Sequence, residues 1–371
     1  MSKIIYGVSG EGSGHSSRAK EMARYLVKQG HTIKIVSYDR GYANLQDQFD
    51  CFETEGLHIA SEENQVSVVK TFTDNIARLP AGFKKLNQLR ELFKSLRPDC
   101  VITDFEPMTA YLARHYDLPL ITLDNQHRMR YMEYHVASDL DKDRLITETV
   151  VRAMVPTPDV SLVTTFHWGK LKNARTFLFP PILRREVADL TPTEGEAILV
   201  YLTSGFDSLL DKLKQFPRET FLLYGYNKSD QDDNVVFKPF SKTGFLEDLA
   251  HCKAVIATAG FTLMSEAFFL GKPYLAMPMQ GQFEQQLNGE WLDMLKLGMN
   301  APQITLDKIG HFLYSLPVFK PHLQSHRQHY DDFLSGQEHE VNYEICHKLD
   351  ALLANDCKQL KQYRQRRIGS K

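Results

Sequence analysis

Short apolar runs alternate with helical stretches along this chain, and the alternation starts over after a polar, proline-rich interval. Ile4 to Val8 is an apolar run that ends in a glycine-rich loop, and residues 16–29 then carry Met22 and Leu26 at helical spacing up to Gly30. Thr32–Ser37, Cys100–Thr103 and Leu120–Leu123 read as strands, with helices over roughly 82–96 and over Pro107–Tyr116 between them. Strands separated by helices of this length build βαβ units and a mostly parallel sheet. Residues 126–155 read as helical up to Pro156 and Pro158, and Val160–Thr164 as a strand. Prolines and a polar cluster then mark a linker. Beyond it, strands are expected at Ala197–Leu202, Phe221–Tyr224, Val235–Phe237, Ala254–Ala257 and Tyr274–Met277. Helices are expected from about 207, over 243–251, over Thr262–Leu270 with Gly271 and Pro273 as stop signals, and over 282–296. The fold class is therefore α/β, with two Rossmann-like halves at 1–180 and 197–335, a linker at 181–196, and a helical basic tail at 336–371.

Length and charge narrow the function. A chain of 371 residues holds about two or three domains. Its 44 basic and 46 acidic residues leave a formal net charge of -2. That lacks the basic excess of a general polyanion binder, so no nucleic-acid partner is expected. No stretch approaches about 18 apolar residues, and the start of the chain lacks the apolar region of a signal peptide. Cys51, Cys100, Cys252, Cys346 and Cys357 are odd in number and show neither CxxC nor zinc spacing. They read as free thiols of a cytoplasmic protein.

Two α/β halves imply a cleft between them, and ligands of open α/β sheets sit at the carboxyl ends of strands. The loop after the first strand is Gly10-Glu11-Gly12-Ser13-Gly14-His15. Its glycines let backbone approach a ligand closely, and the following helix offers a positive end to an anion. The spacing is GxGxG rather than GxGxxG, which argues against a dinucleotide site despite Asp39 at the end of the second strand. His15 is placed to act as a general base near neutral pH, or as a capping histidine. Thr103-Asp104-Phe105-Glu106-Pro107 puts two carboxylates at another strand end. Asp104 can orient His15, Glu106 can join it in the chemistry, and either can cap the helix that begins near Pro107.

The second half holds the richest segment. Thr258-Ala259-Gly260-Phe261-Thr262 is a glycine turn opening a helix, a place for phosphate without lysine or metal. Glu266 lies about a turn and a half in, where a carboxylate can accept from both ribose hydroxyls. Gln280, Gln285 and Gln286 donate and accept without charge, as sugar hydroxyls require.

This segment resembles the nucleotide-sugar signature of two-domain GT-B glycosyltransferases. The Gly10–His15 loop resembles that of the bacterial transferase that adds N-acetylglucosamine to the lipid-linked peptidoglycan precursor. Thr103-Asp104 is similar in position to the aspartate of the His–Asp dyad of UDP-glycosyltransferases. A group of bacterial and archaeal transferases of this type is also similar. The resemblance implies an inverting hexosyltransferase that moves a sugar from a UDP-linked donor to a hydroxyl acceptor, lipid-linked or glycan, without metal or further cofactor. It implies an acceptor-side first half and a donor-binding second half. His15 would be the base and Asp104 its partner. Gly12 and Gly14 would line the site, and Gly260, Phe261 and Thr262, with Thr203 and Ser204, would hold the pyrophosphate. Glu266 would bind ribose, Phe240 would abut the base, and Gln280, Gln285 and Gln286 would touch the donor sugar. Glu11 departs from the pattern by placing an acid in the loop, and the loop at 203–205 carries a single glycine. A UDP-sugar epimerase, a non-catalytic nucleotide-sugar-binding protein and an NAD oxidoreductase are the competing readings.

Three charged segments stand apart from these motifs. Asp139-Leu140-Asp141-Lys142-Asp143 has DxD spacing but reads as a solvated helix end. Phe83, Leu86, Leu89, Leu92, Phe93 and Leu96 interleave with Lys84, Lys85, Arg90, Lys94 and Arg97, and Arg128–Met132 can join them. An ordinary core-facing helix is favoured there, and peripheral contact with anionic membrane is the alternative. From Cys357 the tail carries Lys358, Lys361, Arg364, Arg366, Arg367 and Lys371 with no acid, and reads as a mobile basic end or a lipid-attracted one.

Overall fold

Ile4, Ile5, Tyr6 and Val8 are all fully buried, as in a central strand of a parallel sheet covered on both faces. The computed structural model describes residues 1–56, 61–62, 65–66, 79–202, 207–334 and 342–369. The chain divides into two units, one of Met1–Ser61, Ser67–Arg184 and Asn342–Lys371, the other of Glu62–Val66 and Arg185–Val341.

The first unit opens with β1 (Lys3–Val8), β2 (Thr32–Ser37) and β3 (Cys51–Glu53). Two two-residue strands, β4 (Ser61–Glu62) and β5 (Gln65–Val66), come next in the chain at the boundary of the two units and, among the described residues, pair with each other. β6 (Cys100–Asp104), β7 (Leu120–Asp124), β8 (Val160–Thr164) and β9 (Thr176–Phe179) follow. The seven-stranded sheet has the order β3-β2-β1-β6-β7-β8-β9, and every pair in it is parallel. Alternation sends Ile4 and Tyr6 to one face and Ile5 to the other. The first face packs on Ala19, Met22 and Leu26 of the helix Gly14–Lys28, and on Leu349, Leu352 and Leu353 near the C-terminus. The second packs on Ala110, Ala113, Leu89 and Phe93. Gly30, at φ 83, stands just beyond the end of Gly14–Lys28, where a left-handed residue turns the chain away.

The second unit repeats the plan. β10 (Ile198–Tyr201), β11 (Phe221–Tyr224), β12 (Asp230–Asp232), β13 (Val235–Phe237), β14 (Ala254–Ala257), β15 (Tyr274–Ala276) and β16 (Gly298–Asn300) form a seven-stranded sheet of order β12-β13-β11-β10-β14-β15-β16. Only β12 runs antiparallel to its neighbour. The helix Phe261–Phe269 ends before Gly271 at φ 71, as the glycine and Pro273 predict.

Several expectations change. β3, β9, β12 and β16 are strands that periodicity does not reveal, and β9 lies just before the prolines taken as the linker. Residues 126–155 are not one helix but a five-residue turn of helix, His127–Tyr131, and a longer helix, Asp141–Met154. The basic tail is held against the first unit as far as it is described, and Lys371 lies outside the described residues. Tyr343–Gly369 is helical, broken at an extended Ala354 and left-handed Asn355, Asp356 and Cys357, and Arg367 binds Asp159 at 2.6 Å while Arg364 binds Asp117. The helix Leu79–Leu96 buries Leu89 and Phe93 and sends Lys85 to Glu53, the ordinary core-facing arrangement. Phe83's side chain lies outside the described residues. Arg128 and Met129 are buried, and Arg130 binds the Val155 carbonyl at 2.9 Å, so this segment is no exposed basic patch. Among the described residues no helix is long and apolar enough to cross a membrane.

Candidate active site

The order of the first sheet fixes where a site can form. Successive strands leave β1 toward one edge and β6 toward the other, so a crevice opens at the carboxyl ends of this adjacent pair. Register aligns Val8 with Asp104, and the Ser9 N–H donates to the Asp104 carbonyl at 2.9 Å. The loop after β1 is shaped by glycine. A Cβ on Gly10 would lie 2.2 Å from the Tyr38 carbonyl oxygen, and Gly12 sits at φ +69. Gly14 then opens the helix that carries His15.

His15 points back to β6. Its Nδ1 lies 2.7 Å from Oδ1 of Asp104, with the His15 side chain 12% exposed and Asp104 wholly buried. Arg18, one turn further along the helix, binds the same carboxylate twice, Nε to Oδ2 at 2.6 Å and Nη2 to Oδ1 at 2.6 Å. Burial pulls the Arg18 guanidinium down, but Asp104 and then Asp124 outweigh it and keep the cation firmly charged. Phe105, next to Asp104, is held at φ 56, an unusual conformation for a bulky residue. Its ring lies 6.5 Å from that of His15, nearly parallel.

Glu106 has a different place. It caps the helix Pro107–His115, accepting from the N–H groups of Met108 and Thr109 at 2.8 Å each and from the Thr109 hydroxyl. Burial raises its carboxyl above the ordinary value, against these three bonds.

A second His–Asp pair lies at the end of β7. His127 donates its backbone N–H to Asp124 at 2.8 Å, and its Nδ1 lies 2.7 Å from the other Asp124 oxygen. Both side chains are fully buried, and His127 Nε2 has no hydrogen-bond partner among the described residues. Burial works against the Asp124 charge, but His127 and Arg18 hold its carboxyl below the ordinary range. Sequence reasoning passed over this pair and Arg18. The signals were there: Asp124 ends an apolar strand as Asp104 does, and Arg18 is three residues from His15 on one helix.

In the second unit the adjacent pair at the switch is β10 and β14. Thr203 and Ser204, in the loop after β10, lie outside the described residues. The turn after β14 is well held. The Tyr274 hydroxyl donates to the Thr258 carbonyl at 2.7 Å, and Asn288 Nδ2 donates to the Ala259 carbonyl at 2.8 Å. Gly260 precedes the helix Phe261–Phe269 with an ordinary φ of -72 and no side-chain cap. Among the described residues, its own chain neighbours aside, no atom lies within 4 Å of where its Cβ would be. Phe261 is nearly buried, Thr262 half-buried and Glu266 buried. Gln285 is engaged in its own loop, accepting from the Met279 N–H at 3.1 Å and donating to Gln282 at 2.7 Å. Gln286 Oε1 is buried without a partner among the described residues, and Gln280 is exposed. Phe240 is 84% exposed, with its N–H bound to Asn227. A groove of about 580 Å³ opens beside it, lined by Tyr224, Phe237, Lys238, Ser241 and Asp248.

Of the DxD residues, Asp141 pairs with Arg144 at 3.0 Å, and Asp143 stands in the first turn of the helix Asp141–Met154. Among the described residues no cluster of three or more metal-ligating side chains occurs.

Known proteins are similar to this chain in sequence and fold. The chain is 25% identical over 322 residues to an uncharacterised glycosyltransferase of Methanosarcina acetivorans, covering 77% of this chain and 82% of the relative. A second such protein, from Methanosarcina mazei, is 25% identical over 354 residues, covering 84% and 90%. Among solved structures, the calicheamicin glycosyltransferase CalG4 superposes with a TM-score of 0.65 at 16% identity, covering 96% of this chain and 99% of that one. The glycosyltransferase VinC, solved with dTDP, gives a TM-score of 0.61 at 16% identity, covering 89% and 95%. These likenesses show the two-domain α/β fold of the GT-B class. Residues 2–317 match the profile of glycosyl transferase family 1, and the chain belongs to that family.

Proposed function

We propose that the protein is an inverting, metal-independent glycosyltransferase that moves a sugar from a UDP-linked donor to an acceptor hydroxyl. The observation that carries this is the 2.7 Å contact of His15 Nδ1 with the buried Asp104 carboxylate at a sheet switch point. With Nδ1–H donated to Asp104, Nε2 is left to take a proton from the acceptor hydroxyl. The acceptor oxygen forms its bond to the anomeric carbon as the bond to the diphosphate oxygen breaks on the opposite face. The leaving diphosphate is stabilised by the N-terminus of Phe261–Phe269 and its backbone N–H groups. Glu266 binds the ribose, and the groove beside Phe240 receives the base. VinC was solved with dTDP, so dTDP is the first alternative to UDP.

Thermal shift with UDP and dTDP, followed by transfer assays in EDTA, tests the reading. Glu266→Ala should abolish the nucleotide shift. His15→Ala should lower turnover by about 10²–10⁴-fold while nucleotide affinity holds. Loss of nucleotide affinity with unchanged turnover in His15→Ala would contradict the role, and interconversion of the sugar nucleotide with no acceptor would favour an epimerase.

A further inference from the structure

We propose that Arg18 is a positioning residue. Its guanidinium keeps Asp104 an ionised carboxylate turned toward His15, so that the imidazole rests neutral with its proton on Nδ1 and a bare Nε2. The inference rests on the reading of His15 as base.

Three donors meet on one buried carboxylate: Arg18 Nε at 2.6 Å, Arg18 Nη2 at 2.6 Å and His15 Nδ1 at 2.7 Å. The Arg18 cation obliges Asp104 to be an acceptor at both oxygens. A carboxylate oxygen and a ring nitrogen this close need a proton between them, and only Nδ1 can supply it. Arg18 Nη2 also lies 2.9 Å from Nδ1, which would suit the opposite tautomer, with Nδ1 accepting and Nε2 protonated. That tautomer leaves no base. The two tautomers differ only in which nitrogen carries the proton, and the bidentate hold of Arg18 on Asp104 selects the productive one.

Charge gives the second reason. A buried carboxylate without a cation is costly, and it recruits whatever cation is at hand. Without Arg18, the cation nearest Asp104 would be His15 in its imidazolium form, which has no lone pair to use. With Arg18 in place the carboxylate is already answered, and the imidazole is free to receive a proton during the reaction. The other groups around Arg18 and His15 fit this division. Asp124 faces the guanidinium but is answered by His127, Gln126 Oε1 lies 3.4 Å from Nη2, Tyr6 is buried alongside, and Phe105 stacks on His15.

The test is ¹⁵N NMR of ring-labelled histidine in the full chain at neutral pH, without donor or acceptor, paired with steady-state kinetics. In the wild type the His15 signals should show Nδ1 protonated and Nε2 bare. In Arg18→Met both nitrogens should be protonated, and kcat should fall by about 100-fold or more while the donor KM holds. Arg18→Lys should restore the bare Nε2 and part of kcat. A wild-type His15 protonated on Nε2 with Nδ1 bare would overturn the proposal without any variant. So would a folded Arg18→Met that keeps the bare Nε2. If Arg18→Met does not fold, the wild-type tautomer and Arg18→Lys decide. Failure to find transfer with any donor would count against the transferase reading alone, because the NMR result needs no substrate.

Discussion

Glu106→Ala separates structure from chemistry at the end of β6. The carboxylate accepts a buried backbone N–H and hydroxyl from Thr109 and a part-buried N–H from Met108, at the head of the helix Pro107–His115. Removing an N-cap costs about 0.5–2 kcal/mol. Leaving buried donors unmet costs about 1–3 kcal/mol each, less whatever water recovers. A loss of about 2–4 kcal/mol follows. At about 2–4 °C per kcal/mol for a domain of this size, the melting transition should drop by about 4–16 °C. Glu106→Gln keeps one acceptor and turns the other into a donor facing a donor, so it should lose about half as much. Burial raises the Glu106 carboxyl above its ordinary 4.5. Folding therefore favours its protonated form, and the wild type gains on Glu106→Gln as pH falls through the raised value toward 4.5. Calorimetry of the three proteins across this range, with turnover measured well below their transitions, gives the answer. A melting temperature within a degree or two of wild type, together with turnover down by about 10²-fold, would refute the capping argument and return Glu106 to the chemistry.

Gly260→Ala should leave stability within about 0.5 kcal/mol, since its φ is ordinary and the described residues leave room, yet it should weaken nucleoside diphosphate binding in a titration; unchanged binding would remove that turn from the donor site. Asp159→Ala should cost about 3–5 kcal/mol in urea unfolding, because it strands Arg114, Arg367 and the Leu120 N–H around a fully buried position. Truncation after 341 should give insoluble protein. It uncovers the face that Ile345, Leu349, Leu352, Leu353 and Leu360 bury, at about 1.5–3 kcal/mol each, against a usual stability of about 5–15 kcal/mol. A soluble, cooperatively folding truncation would show that the first unit closes without this helix.

His15 and Asp104 were legible because the rule about strand ends needs no side-chain detail. Two apolar runs, each followed by a polar residue, become adjacent strands, and their register brings the residues together. Arg18 was hidden because its role depends on burying a charge, which periodicity treats as a solvent face. Asp124 and His127 were hidden because the run after Leu123 was read as the start of a long helix, and that removed the strand end from view. Glu106 carried two readings in the sequence, and Pro107 at the first helical position was the better clue. β9 escaped because a run of three apolar residues, Phe177 to Phe179, beside Pro180 and Pro181 carries no alternation. In the tail, the basic residues drew attention from the better signal, which was Ile345, Leu349, Leu352 and Leu353 at helical spacing.

The return of the last helix to the first unit has a consequence for synthesis. The strands of that unit leave the ribosome early, yet the apolar face that takes Leu349, Leu352 and Leu353 stays uncovered until residues 185–341 have also been made. At about 5–20 residues per second that wait is about 8–30 s, far longer than a small domain needs to collapse. The N-terminal unit must spend this interval incomplete, with an open hydrophobic face, while the second unit can finish first. A chaperone that shields apolar surface would find its substrate here, on the nascent chain, before the final turns of sequence arrive.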